Sequence, residues 1–167
     1  LKPYLYAAML NDGYILPQTL VPDVPTQISG YSPQNFNLTY DGAVPASRAL
    51  ARSLNIPSAL MLQDYSVNQF YEKLQQLKLR NVNRQPSNYG LSLILGGAES
   101  NLWDLCKAYA YMSSTLTYFN QNDSKYRKNE MLNLNYDADF QPDFGSSSRQ
   151  KNIFGAGAIW QTFNAMK

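Results

Sequence analysis

Apolar positions recur along the chain mostly at helical spacing, and the polar positions between them carry caps and turns. Leu1, Leu5, Ala8 and Met9 fall on one helical face. Pro3 suits a first turn, where a missing N–H costs little, and Asn11, Asp12 and Gly13 supply a stop. A helix over residues 3–10 is therefore predicted. A second short helix is expected from Pro17. Residues 22–42 are rich in Pro, Gly, Asn and Asp, which predicts an ordered loop with one short strand, anchored by Tyr31, Phe36 and Tyr40. Residues 46–52 are the next predicted helix, with Ala49 and Leu50 inward. Pro57 is expected to start another, running through Leu60, Met61 and Leu62.

Ser66 and Gln69 have the spacing of a capping box. The helix they introduce carries a stripe of Val67, Phe70, Tyr71, Leu74 and Leu77, read as core. Residues 81–89 read as a loop, and 91–95 as a short apolar run broken by Gly96 and Gly97. Asn101, with Asp104 three positions on, is expected to cap the longest helix. Its apolar face is expected to hold Leu102, Leu105, Cys106, Tyr109 and Met112. Residues 119–151 change character: few aliphatics, many Asn, Asp, Gln and Ser. They predict a polar insertion or mobile loop, with a strand where Met131 to Tyr136 alternates. The helical period returns after Gly155 with Ile159, Trp160, Phe163 and Met166. No internal repeat is found.

Composition narrows the chemistry. The chain has 167 residues and is 44% hydrophobic, enough for one domain with a core. Its net charge of +2 is scattered, with no basic stripe, so nucleic acid is not expected as a partner. There is no histidine, which excludes a Ser-His-Asp triad and a histidine-based zinc site within these residues. Cys106 is the single cysteine and reads as a buried small hydrophobe, since no histidine exists to activate it. Glu99 and Asp104 could form an acid pair, but helix capping accounts for them better. Asp137, Asp139 and Asp143 lack the spacing, glycine and glutamate of an EF-hand. No metal and no cofactor are expected. No apolar run reaches the ~20 residues that cross a bilayer.

Two short signals stand out together. Lys2-Pro3 opens a helix, and Arg52-Ser53-Leu54-Asn55-Ile56-Pro57 links two others. Alone, each reads as structural: a solvated lysine, and a Ser-x-Asn that satisfies orphan backbone groups. Their surroundings change the reading. The chain carries Leu1-Lys2-Pro3-Tyr4-Leu5-Tyr6-Ala7, Asp23-Val24-Pro25-Thr26, Gly30-Tyr31-Ser32-Pro33-Gln34-Asn35-Phe36 and the stretch 49–57. It then has Leu95-Gly96-Gly97-Ala98-Glu99 before a capped helix with Ala108-Tyr109-Ala110. With these segments the chain resembles class A penicillin-binding proteins, in particular those of the 1C type. The resemblance covers residues 1–112 and returns weakly at 154–166.

That resemblance implies an α+β fold, mainly helical here. It corresponds to part of the penicillin-binding transpeptidase and serine β-lactamase-like fold, lacking much of its sheet. Residues 1–167 would be a partial transpeptidase domain. The implied chemistry is peptidoglycan cross-linking through an acyl-serine intermediate that penicillins also form. Lys2 would be the base that takes the serine proton, a role open to lysine when burial lowers its pKa. Ser53 would relay a proton to the leaving nitrogen. Asn55 would hold Lys2 and bind the acyl amide. Implied partners are peptidoglycan stem peptides and β-lactam antibiotics. The implied setting is the outer or periplasmic side of the cytoplasmic membrane, in a membrane-anchored parent.

Two departures qualify the expectation. The family's nucleophilic serine lies three positions before the lysine, and only Leu1 precedes Lys2. The Lys-Thr-Gly motif is also missing from these residues. The fragment alone is therefore expected to be inactive towards penicillin, and uncovered apolar faces near its last helix are expected to drive self-association. A D,D-carboxypeptidase, a β-lactamase-like hydrolase, or a non-catalytic module that binds wall peptide remain alternatives.

Overall fold

The computed structural model describes residues 1–28, 30, 32–128 and 147–167. The predicted strand at 131–136 and the aspartates at 137, 139 and 143 lie outside them, as does Tyr31.

The molecule is built around its first helix. α1 (Lys2–Asn11) is buried on nearly every side, from Tyr4 through Met9. An apolar helix with no polar face must be wrapped by others, and α1 packs on α2 (Ala46–Ala51), α3 (Asn55–Tyr65), α4 (Val67–Gln76) and α7 (Ala156–Ala165), with Tyr4 also meeting Leu105 and Tyr109. One large core joins α1 to Tyr65, Phe70, Leu74, Tyr111, Phe154 and Ile159.

Between α1 and α2 the chain forms an antiparallel strand pair rather than a helix at Pro17 and a single strand. β1 (Leu20–Asp23) pairs with β2 (Gly42–Pro45), Leu20 opposite Pro45 and Asp23 opposite Gly42. A four-residue strand is too short to show alternation over its neighbouring turns, so the Pro-rich composition hid it. Between the strands runs the loop expected to be anchored by aromatics. Phe36 is instead fully exposed and anchors nothing, and Tyr40 is also exposed. Buried Asn35 and Asp23 hold the loop by hydrogen bonds.

Elsewhere several boundaries move. α3 begins at Asn55, two residues before Pro57, because proline tolerates any first-turn position. Ser66 precedes α4, but no capping box forms. Its φ is +82°, its side chain caps nothing, and Gln69 Oε1 accepts a hydrogen bond from the Tyr14 hydroxyl. The 81–89 segment ends in a short helix, α5 (Pro86–Tyr89), followed by a 3₁₀ turn, Gly90–Ile94.

The expected Asn101 cap forms on α6 (Leu102–Gln121): Asn101 Oδ1 accepts from the Asp104 amide at 2.7 Å. The buried face of α6 is rotated from the expected one. Leu102, Trp103 and Cys106 are exposed, while Asp104, Ala108, Tyr111, Met112 and Thr115 are buried. Asp104 turns inward because the Arg80 guanidinium holds both its oxygens, and that pairing keeps its carboxyl below the usual range. Cys106 is thus not the buried hydrophobe expected. Glu99 faces Arg84 at 3.7 Å and forms no pair with Asp104.

Helix α6 runs past residue 119 to Gln121, so the polar stretch begins inside a helix. Its described flanks form a second antiparallel pair, β3 (Tyr126–Arg127) with β4 (Ser147–Ser148). The chain is therefore mainly helical with two small strand pairs among the described residues. In α7, Ile159 is buried but Trp160 is exposed, as is Met166 just past its end.

Candidate active site

The site is assembled where α2 gives way to α3. Helix α2 ends at Arg52 with two carbonyl-capping bonds: the Ser53 amide donates to Leu50 O at 2.9 Å, and the Leu54 amide to Ala49 O at 3.0 Å. This is a Schellman arrangement, completed by the apolar contact of Leu54 with Ala49 and Val44 in a small satellite core. The arrangement needs a left-handed residue after the cap, and Ser53 takes that place with φ +52°. Leu54 is plugged into the satellite core, while its neighbours stay outside it, Ser53 exposed and Asn55 half-buried.

Into that link reaches Lys2, from the first turn of α1. Its Nζ donates to Ser53 O at 2.7 Å, to Asn55 Oδ1 at 2.7 Å and to Ser53 Oγ at 3.1 Å. Lys2 thus meets Ser53 and Asn55, the other two residues singled out in the sequence, from more than fifty positions away. The Asn55 amide is fixed in orientation, since its Nδ2 donates to Gln34 O at 2.8 Å and leaves Oδ1 for the lysine. Burial lowers the Lys2 pKa from 10.5 to about 8. About a tenth of the amine is then neutral at pH 7.

The proton inventory gives this cluster a direction. Ser53 O and Asn55 Oδ1 can only accept. A neutral lysine amine has two N–H donors, which these two carbonyl oxygens occupy. Its lone pair is left for a hydroxyl, whether that of Ser53 or of a further group. The same cluster in its ammonium form offers its third N–H to Ser53 Oγ. A proton can therefore move between lysine and serine without rearranging the other two bonds.

Three contributing residues had no role in the sequence reading. Asn35 Oδ1 accepts from the Asn55 amide at 3.0 Å, Gln34 O takes the Asn55 side chain, and Asp23 Oδ1 accepts from Asn35 Nδ2 at 2.7 Å. No spacing rule could reveal them, because they cap a helix that begins twenty residues later. Beside them a shallow cavity of about 260 Å³ is lined by Pro25, Gln34 and Tyr40 among others. Among the described residues, no group of His, Cys, Asp and Glu could hold a metal ion.

Over 109 residues, 65% of its length, the chain is 39% identical to penicillin-binding protein 1C of Escherichia coli (strain K12), of which this is 14%. It is 29% identical to penicillin-binding protein 1B of Vibrio cholerae serotype O1 over 99% of the chain and 21% of that protein. The chain is homologous to class A penicillin-binding proteins. It spans between a seventh and about a fifth of the length of these relatives. Penicillin-binding protein 1A from Haemophilus influenzae superposes with a TM-score of 0.56 at 27% identity, over 66% of the chain and 17% of that protein. A peptidoglycan glycosyltransferase from Burkholderia ambifaria shares the fold with a TM-score of 0.69 at 12% identity, over 98% of the chain and 52% of that structure. No protein-family model matches the chain.

Proposed function

We propose that this homologue of penicillin-binding proteins contributes the lysine and Ser-x-Asn elements of a serine D,D-transpeptidase site, in an enzyme of the 1C type. The observation that carries the reading is the Lys2 amine held by Ser53 Oγ, Ser53 O and Asn55 Oδ1. In the proposed reaction a serine hydroxyl attacks the carbonyl of a stem-peptide D-Ala-D-Ala bond while neutral Lys2 takes its proton. Ser53 then passes a proton to the departing D-Ala nitrogen, leaving an acyl-serine. An amine of a neighbouring stem attacks that ester, forms the cross-link and releases the serine. A penicillin would enter the first half of this sequence and stop there. No serine stands three positions before Lys2 within residues 1–167, so the nucleophile is sought in the full-length protein.

The 1C type is favoured by the 39% identity over 109 residues. The setting follows the relatives: an anchored enzyme of the cell envelope, acting on peptidoglycan outside the cytoplasmic membrane. Among the described residues no helix is long and apolar enough to cross a membrane. The likeness to a peptidoglycan glycosyltransferase, at 12% identity, bears on the fold alone. D,D-carboxypeptidase and β-lactamase-like activity differ only in using water as the acceptor.

The test is acylation of the full-length protein by a fluorescent penicillin, followed by mass analysis of the products made from stem peptides. Ser53→Ala and Asn55→Ala are each expected to slow acylation on the order of 10²-fold or more. Unchanged rates would reduce both residues to helix-end furniture. Hydrolysed rather than cross-linked products would favour the carboxypeptidase.

A further inference from the structure

The proton-transfer cluster stands on a scaffold that itself asks for an explanation. Helix α3 begins at Asn55, and its N-cap residue, Leu54, has no side chain able to receive the first free amides. A residue twenty positions upstream does so. Asn35 Oδ1 accepts from the Asn55 amide at 3.0 Å and lies 3.4 Å from that of Ile56. Asn35 is buried, and its own amide has only one workable orientation. Nδ2 donates to Asp23 Oδ1 at 2.7 Å and to Thr39 O at 3.0 Å, both of them acceptors, so Oδ1 must face α3.

Asp23 is buried in turn, and its second oxygen accepts from the Asp41 amide at 3.0 Å. Asp41 pairs with Arg52, the residue before Ser53. The chain of contacts leaves Asp23, passes through Asn35 and ends on Asn55, whose side chain is also tied to Gln34 O. The Ser53–Asn55 link is thus gripped from below by one loop.

We propose that Asn35, locked by Asp23, is a positioning residue for the proposed transpeptidase site: it sets where Asn55 Oδ1 stands and thereby holds the Lys2 amine in place. The proposal rests on that reading for its catalytic consequence but not for its geometry. A buried asparagine that only braced a loop would not need to meet the backbone amide of the very residue that binds the lysine.

Three substitutions separate these roles. Asn35→Ala removes the acceptor and strands two α3 amides and one Asp23 oxygen. Asn35→Asp sets a second carboxylate against Asp23. The pair Asn35→Asp with Asp23→Asn restores a donor opposite an acceptor between the two side chains and keeps an oxygen facing α3, while Thr39 O loses its donor. In the chain, Lys2 is titrated by NMR of its labelled side chain. In the full-length protein, the acylation rate by penicillin is measured. Asn35→Ala is expected to let water reach the amine and move the Lys2 midpoint up from about 8 toward its ordinary 10.5. Acylation should slow on the order of 10-fold or more, as misplacement of a reacting group does. The swapped pair should recover a substantial part of both relative to Asn35→Asp alone.

Lowered thermal stability with the Lys2 midpoint and acylation rate unchanged would overturn the proposal. So would a swapped pair no better than the single Asn35→Asp. If Asn35→Ala does not fold, the comparison of the swapped pair with the milder Asn35→Ser decides in the same way. A Lys2 midpoint that moves in a protein no penicillin acylates would overturn the transpeptidase reading and leave the assignment of Asn35 standing.

Discussion

At the scale of single residues, position 53 shows how fold and chemistry divide. The backbone there asks for a left-handed residue, which costs a non-glycine side chain roughly 1 kcal/mol. Ser53→Gly is therefore expected to raise thermal stability while abolishing the hydroxyl next to Lys2; Ser53→Ala keeps the backbone cost and also loses the hydroxyl. Thermal melts of the two variants beside their acylation rates check this, and a glycine variant less stable than the alanine one would contradict it. Lys2 makes a prediction in pH. The amine acts as base only when neutral, so acylation should rise with pH through a limb near 8. A limb near the ordinary lysine value would mean that the amine is not the base. The same lowered pKa has a consequence for stability. Between about 8 and 10.5 the unfolded chain binds the extra proton, so this group's penalty, present below pH 8, is relieved as pH rises through that window.

At the scale of elements, what could be read from sequence was what is local. The Asn101 cap, the end of α1 at Gly13 and the α2–α3 link lie within a few residues of the groups they satisfy. β1 and β2 pair across an eighteen-residue loop, and no local signal carries that information. The capping box at Ser66 fails because the Ser66 amide already closes α3 on Leu62 O at 2.9 Å, and Gln69 Oε1 accepts from the Tyr14 hydroxyl instead. The Leu95-Gly96-Gly97 stretch, by contrast, has a local cause. A Cβ on Gly97 would come within 2.9 Å of the Ser92 carbonyl oxygen and still closer to its side chain, and the Gly97 amide donates to that carbonyl at 2.7 Å. Gly97→Ala is expected to cost roughly 1–3 kcal/mol in a denaturant titration, the usual range for overpacking. A change under about 0.5 kcal/mol would mean that the 3₁₀ turn yields.

For the whole molecule, the proposed site is a product of wrapping. Lys2 belongs to the most enclosed helix, while Ser53 and Asn55 belong to a link on its flank. They meet because α1 packs against both α2 and α3. Their types and contexts were legible in the sequence; that they touch, and that a buried Asp–Asn pair fixes how they touch, was not. A polypeptide of residues 1–167 has the lysine and the Ser-x-Asn but no serine at the required spacing. It is expected to form no stable penicillin adduct, and a covalent band on a denaturing gel would refute that.

The left-handed slot at the end of α2 has a practical implication. Among the described residues α1, α4 and α6 also close through a left-handed residue, at Gly13, Lys78 and Asp123. The fold is indifferent to what fills such a slot, provided the backbone can turn. Directed evolution for heat resistance would therefore reward glycine at residue 53, and a consensus drawn from helix ends would recommend it. The winning clones would express well and melt late, and would have lost the hydroxyl that the proposed reaction needs.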